Sequence, residues 1–389
     1  MNKSGVVTRG GVTAVIVTVV IGLGLADWSA HAVQDRPPID FEKAKAIFER
    51  ARKGERVTKE EQAYVERAKA EFARKKAAYP KVPGKPSVGI TPLTDLASDA
   101  RYKEQDGGLH GGGKNAPPDA LLKTALAAGK EIRPLDAAGA PSPSGKVVLL
   151  SIGMSNTTQE YRQFMVVASR DGEKAPWVVP IDGAQGGMTA FAWANPDRVK
   201  AGGRPDPWAV LDQRLETAGV TAKQVQVVWL KQANANPAPD GDFPGHAEKL
   251  KQDIAGLLAK LRKRFPNLKL VYLSSRIYAG YAATPLNPEP YAYESAFAVR
   301  WLIRDQLDGS TLKQPEQRPV LLWGPYLWAD GEKGRKTDKL VYLRKDLGPD
   351  GTHPSPSGQQ KVAEMLLRFF KTDPTAKGWF LKSTATDAR

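Results

Sequence analysis

The sequence predicts an α/β fold: three α/β/α layers on a five-stranded parallel sheet, with an N-terminal helical hairpin added. Three observations predict it. First, five short runs rich in β-branched and apolar residues recur after Gly145, at Lys146–Ile152, Trp177–Ile181, Gln224–Leu230, Leu268–Ser274 and Arg318–Trp323. Their apolar residues are nearly continuous, as expected of strands buried on both faces. Second, helical patterns lie between and after them, near Thr158–Ala168, Asp206–Ala218, His246–Phe265, Tyr291–Leu307 and Ser357–Phe370. Strands that alternate with helices form successive βα units, and these build a parallel sheet covered on both sides. Third, 389 residues with 41% hydrophobic content can bury one large core, with an appendage.

The chain divides in order. Lys3 and Arg9 precede an uncharged stretch from Gly10 to Ala26, and Ser29-Ala30-His31-Ala32 then offers small residues at signal-peptidase spacing. Residues 1–32 are therefore expected to be a cleaved signal peptide, and the protein to be secreted or periplasmic with no stable membrane insertion after cleavage. Residues 33–79 read as a hairpin of two helices, Asp40 to Gly54 and Thr58 to Lys76. Phe41, Ala44, Ile47 and Phe48 give the first its spacing, and Thr58 with Glu61 forms a capping box at the start of the second. Residues 80–144 are rich in glycine and proline, with one helical piece near Pro118 to Ala128, and are expected to wrap on the main domain at 145–375. Residues 376–389 read as a tail.

A net charge of +15 raises the question of nucleic acid, but the basic residues are scattered and accompany no recognition motif, so no nucleic-acid partner is expected. The chain has no cysteine, which removes disulfides, thiolate metal sites and cysteine nucleophiles from consideration.

In an open parallel sheet ligands bind beyond the carboxyl ends of the strands, so chemistry is sought just after each run. Ser151-Ile152-Gly153-Met154-Ser155-Asn156 follows the first strand and would expose Ser155 at the sheet edge. The second strand leads into Asp182-Gly183-Ala184-Gln185-Gly186-Gly187, where a glycine amide could meet an oxyanion. The third leads into Lys231-Gln232-Ala233-Asn234-Ala235-Asn236, with side-chain amides as further donors. Before the last helix stands Asp350-Gly351-Thr352-His353. A carboxylate three residues ahead of a histidine can hold one ring nitrogen and leave the other for a serine. Each of these alone also fits a plain turn or cap. Their shared position, at the carboxyl edge or just before the final helix, favours a common site.

The order Gly153-x-Ser155-Asn156, Gly187, Asn234, Asp350-x-x-His353 resembles the four blocks of the SGNH (GDSL-type) hydrolases over about Lys146 to Phe370. The Gly-x-Ser-Asn start is nearest the sialate O-acetylesterase and carbohydrate-esterase branches. The resemblance implies a flavodoxin-like sheet and a Ser-His-Asp esterase. In it Ser155 is the nucleophile, His353 the base and Asp350 its orienting acid, with an oxyanion hole from the amides of Ser155 and Gly187 and the side chain of Asn234. Gly186 and Asn236 are neighbouring alternatives. Two positions depart from the family pattern: Met154 stands where an aspartate is usual, and Gln232 where a glycine is usual.

The implied reaction needs no cofactor and no metal, and its substrate is a small-molecule or carbohydrate ester, with acetyl preferred. A non-catalytic polysaccharide-binding protein and an O-acyltransferase are the competing expectations. Tyr278, Tyr281 and the run Trp323-Gly324-Pro325-Tyr326-Leu327-Trp328 either border the cleft as flat sugar platforms or bury in the core. His110, in the glycine run 107–113, either reaches the cleft or lies on a surface loop.

Overall fold

The computed structural model describes residues 39–52, 54–78, 84–307 and 319–382. The expected signal peptide lies outside the described residues. Among these residues no helix is long and apolar enough to cross a membrane.

The chain separates into two compact units, split between Ala78 and Tyr79. The first holds helices α1 (Phe41–Arg52) and α2 (Lys59–Ala78). They pair through buried Ala44, Ile47, Val65 and Ala68. Glu61 starts α2 as half of a reciprocal cap, its carboxylate accepting from the Thr58 amide at 2.9 Å while the Thr58 hydroxyl accepts from the Glu61 amide at 3.1 Å.

The second unit is built on strands β1 (Val147–Gly153), β2 (Val178–Asp182), β3 (Val225–Lys231), β4 (Leu270–Ser274) and β5 (Val320–Trp323), all parallel, in the order β2-β1-β3-β4-β5. The order reverses between β1 and β3, where a doubly wound sheet opens a crevice. Every residue of β1, β3, β4 and β5 is buried, as their nearly continuous apolar composition favours. Register brings Gly153 level with Lys231, and Lys231 level with Ser274, so the residues just beyond these ends emerge together on one edge.

Helices α3 (Asp119–Glu131), α4 (Ser155–Ser169), α5 (Pro207–Thr217), α6 (Gly245–Arg264), α7 (Tyr291–Leu307) and α8 (Pro356–Thr372) complete the three layers. α4 packs on α8 through Phe164 and Phe370, while α6 packs on α7.

Three details differ from the sequence expectation. α4 begins at Ser155 rather than Thr158, because the Thr157 hydroxyl accepts from the Met154 amide at 3.3 Å and caps the helix three residues early. Short helices at Ala190–Ala194 and Pro196–Ala201 follow β2, each shorter than the two-turn window on which apolar periodicity depends. The expected tail begins instead with a short helix, α9 (Lys377–Phe380), whose Trp379 and Phe380 are buried beside Phe370.

Residues 84–118 lie along this unit. The Asp330 carboxylate accepts from the Val88 amide at 2.7 Å and the Ser87 hydroxyl at 2.6 Å, and the Leu109 carbonyl accepts from the Trp323 indole at 2.8 Å. Gly107 comes so close to Leu96 that a Cβ would lie 1.7 Å from its carbonyl oxygen, and Gly108, Gly111, Gly112 and Gly113 have positive φ, so the run's own backbone path calls for glycine.

Candidate active site

The first strand leads straight into a helix with a single residue, Met154, between them. Gly153 permits this, since a Cβ there would lie 2.3 Å from the Thr157 hydroxyl and 2.5 Å from the Lys231 carbonyl. Ser155 thus occupies the first position of α4, where the amide has no intrahelical acceptor and the helix dipole favours negative charge.

His353 comes from the loop before α8. Gly351 has φ +66° and lies against the backbone of Tyr281, where a Cβ would come within 1.7 Å of the carbonyl oxygen, so the turn after Asp350 admits only glycine. The cap of α8 is Ser355, whose hydroxyl accepts from the Gly358 amide, which leaves the Asp350 carboxylate free for other work. Its Oδ1 accepts from the amides of Thr352 and His353, both at 3.1 Å, and its Oδ2 lies 2.5 Å from His353 Nδ1. His353 Nε2 lies 2.7 Å from Ser155 Oγ, across 198 residues of sequence. A proton on Nδ1, held by Asp350, leaves Nε2 to accept from the serine hydroxyl.

Burial raises the Asp350 pKa, but the bond and charge of His353 and the two amides outweigh it and hold the carboxyl below its ordinary value. A carboxyl depressed in the folded state contributes stability that is present above the unfolded pKa, about 3.9, and lost as pH falls through the folded value. Asp350→Asn should therefore melt below the wild type at neutral pH, and the gap should close as the pH is lowered through that window. Thermal melts between pH 7 and pH 2.5 check this, and a gap independent of pH would contradict it.

The other expected residues gather at the same edge. The Gln185 amide donates to the Gly153 carbonyl at 3.1 Å, and the Trp193 indole donates to it at 3.3 Å, which anchors the loop after β2 beside Ser155. Gly187 has φ +72°, and among the described residues its amide has no acceptor. Arg204 holds this turn from behind by donating to the Gly186 carbonyl at 2.7 Å. The Asn234 side chain is buried, and its Nδ2 donates to Asp253 Oδ2 at 2.7 Å, which fixes the amide plane. Ser155, Gly187, Asn234 and His353 line one cavity of about 240 Å³. Of the neighbouring alternatives, Asn236 is an exposed turn residue with φ +52°, and neither it nor Gly186 lines that cavity.

Other expectations do not reach the site. Tyr278, Tyr281, Trp323, Tyr326 and Trp328 are all buried in the core and none lines the cavity, so they offer no sugar platform. Tyr278 stacks edge-on with Tyr281 and Trp328, and its hydroxyl donates to the Lys85 carbonyl, so these rings bind the chain's own segments. His110 is neither in the cavity nor on an open loop; it is half-buried, and desolvation lowers its pKa to about 4. Met154, where the family pattern has an aspartate, and Leu286 give the cavity apolar wall.

The sequence reading missed Asp253, Arg276 and Asn287. Asp253 falls within the apolar stripe of α6, between Leu250 and Ile254, and a carboxylate on a buried stripe is the available signal. Arg276 and Asn287 lie in loop sequence and line the cavity, with no local pattern to mark them. Among the described residues no three His, Asp or Glu side chains cluster so as to hold a metal ion.

No family model and no curated protein matches the chain. Among solved structures it is similar to a lipase from a goat rumen metagenome, at 16% identity and a TM-score of 0.35, over 59% of this chain and 100% of that one. It is also similar to a catalytic mutant of an acetylxylan esterase from Geobacillus stearothermophilus, at 13% identity and a TM-score of 0.35, over 61% of this chain and 97% of that one.

Proposed function

We propose that the protein is a serine-dependent ester hydrolase of the SGNH type, exported from the cytoplasm, acting on a short acyl ester such as an acetyl group on a carbohydrate. The observation that carries this is the relay Ser155 Oγ to His353 Nε2 at 2.7 Å and His353 Nδ1 to Asp350 at 2.5 Å, opening on a cavity. A serine used only as a turn or cap needs no imidazole oriented by a carboxylate.

In this reading Ser155 Oγ attacks the ester carbonyl carbon while His353 Nε2 takes the hydroxyl proton, and Asp350 stabilises the resulting imidazolium. The negative oxygen of the tetrahedral intermediate accepts from the amides of Ser155 and Gly187 and from the second Nδ2 hydrogen of Asn234. Collapse breaks the bond to the alcohol, which leaves with the proton from Nε2. Water then attacks the acyl-serine, gives its proton to His353, and releases the acid as Ser155 regains its hydrogen. Asn234→Ala should lower kcat by roughly 10²–10³-fold with little change in KM, the loss expected for one oxyanion donor. Steady-state kinetics on an aryl acetate check this, and a change confined to KM would remove Asn234 from the oxyanion hole.

The function is tested by assaying acetylated sugars and short-chain aryl esters with wild-type protein and Ser155→Ala. Hydrolysis by the wild type alone is expected. Equal background rates for both would favour a polysaccharide-binding role, and acyl transfer to a sugar faster than hydrolysis would favour a transferase.

A further inference from the structure

Arg276, just beyond β4, is 2% exposed and lines the cavity that holds Ser155 and His353. Its guanidinium makes a single hydrogen bond, from Nη2 to the Thr352 carbonyl at 3.4 Å, and its Nε has no partner among the described residues. No carboxylate there lies within 4.0 Å of it, and the acids that act on it from farther away are committed elsewhere. Glu160 accepts from Lys231 at 2.5 and 2.6 Å, and Asp350 holds His353. Glu289 accepts from the Trp328 indole and the amides of Ala279 and Tyr293. A guanidinium carries five donors in a planar fork, and a buried one with so little hydrogen bonding is destabilising until an acceptor meets it.

Other residues lining the same cavity also carry polar atoms without partners. Asn156 Nδ2, Asn234 Oδ1 and Asn287 Oδ1 are buried and have no partner among the described residues, although all three side chains line it. Donor capacity thus remains on the guanidinium and on one amide nitrogen, and acceptor capacity on two amide oxygens, all on side chains that line the cavity.

Resting on the esterase reading, we propose that Arg276 forms a carboxylate-binding subsite, and that the ester taken is acidic and hydroxyl-bearing. Its carboxylate accepts from Arg276 and Asn156, and its hydroxyls donate to Asn234 and Asn287. The net charge of +15 draws such an anion towards the protein. The carboxylate belongs either to the acyl group, as in a half-ester of a diacid, or to the alcohol, as in an acetylated sugar acid.

The test compares kcat/KM for two matched pairs: 4-nitrophenyl hemisuccinate against 4-nitrophenyl butyrate, and acetylated galacturonate against acetylated galactose. One pair should favour its acidic member by about tenfold or more, the discrimination expected of a charge-assisted hydrogen bond, and which pair does so identifies the source of the carboxylate. In Arg276→Met that ratio should fall to one or below, with Arg276→Lys between the two. Arg276→Met should also melt no lower than wild type, since a buried unpaired charge is removed.

Equal kcat/KM within both pairs overturns the subsite and leaves the hydrolase reading standing. A ratio unchanged in Arg276→Met, with a lowered Tm, assigns Arg276 to structure alone and also overturns it. If wild type turns over no ester yet binds succinate or galacturonate by calorimetry, and Arg276→Met does not, the subsite stands and the hydrolase reading fails.

Discussion

Ser155→Ala is expected to lower kcat/KM on any hydrolysed ester by roughly 10⁴–10⁶-fold, and His353→Ala by a similar factor. The two groups act as one unit: without the imidazole the serine hydroxyl keeps its proton, and without the hydroxyl the imidazole has no nucleophile to activate. The double variant should therefore be no worse than either single one. Additive losses would mean that the 2.7 Å bond between them is not used in turnover. Michaelis–Menten kinetics of the three variants on one aryl ester, with circular dichroism to show the fold intact, measure this. Such a loss amounts to about 5–8 kcal/mol of transition-state stabilisation, far beyond any effect expected from removing a solvent-facing serine.

Glu160→Ala is expected to cost about 3–5 kcal/mol of folding stability, among the largest effects of any single change. Glu160 on α4, the helix that Ser155 begins, and Lys231 at the end of β3 are both fully buried, with Lys231 Nζ at 2.5 and 2.6 Å from the two carboxylate oxygens. Burial is the main influence on the Lys231 pKa, and with nearby Arg276 it lowers the value to about 8 despite the attraction of Glu160. Truncating Glu160 leaves the lysine buried and unpaired, whereas Glu160→Leu combined with Lys231→Met removes both charges and should recover most of the loss. Urea unfolding of the two variants separates these outcomes. Equal stability in the single and double variants would show that packing, not charge, sets the cost.

Much of the fold was legible because burial on both faces leaves nearly continuous apolar runs. Val147 to Ile152 and Val225 to Leu230 have no competing reading as amphipathic helix, and the helices between them repeat at helical spacing. The nearness of Ser155 to His353 was legible in part because parallel topology brings strand ends to one edge, and the loop before the last long helix returns to that edge despite 198 residues of separation; the roles expected of these residues came from the resemblance, not from the topology.

What the sequence left open or did not mark depends on tertiary contacts. For the aromatic residues after β4 and β5 the sequence left both a cleft wall and burial in the core or under the wrapping segment open, and the tertiary structure settles on burial, with residues 84–118 bonded to Tyr278 and Trp323. Trp379 and Phe380 carried a burial signal in an otherwise polar ending, too short for periodicity to register. Asp253 and Arg276 are ordinary charged residues locally, and their importance comes from partners they have, or lack, across the fold.

The most direct measurement is the reaction of the full-length protein with an active-serine fluorophosphonate, followed by intact mass spectrometry and peptide mapping. A single adduct on Ser155, formed by wild type and absent from Ser155→Ala and His353→Ala, is the expected result. No adduct, or one equally formed without His353, would contradict a nucleophile activated by the Ser155–His353–Asp350 relay.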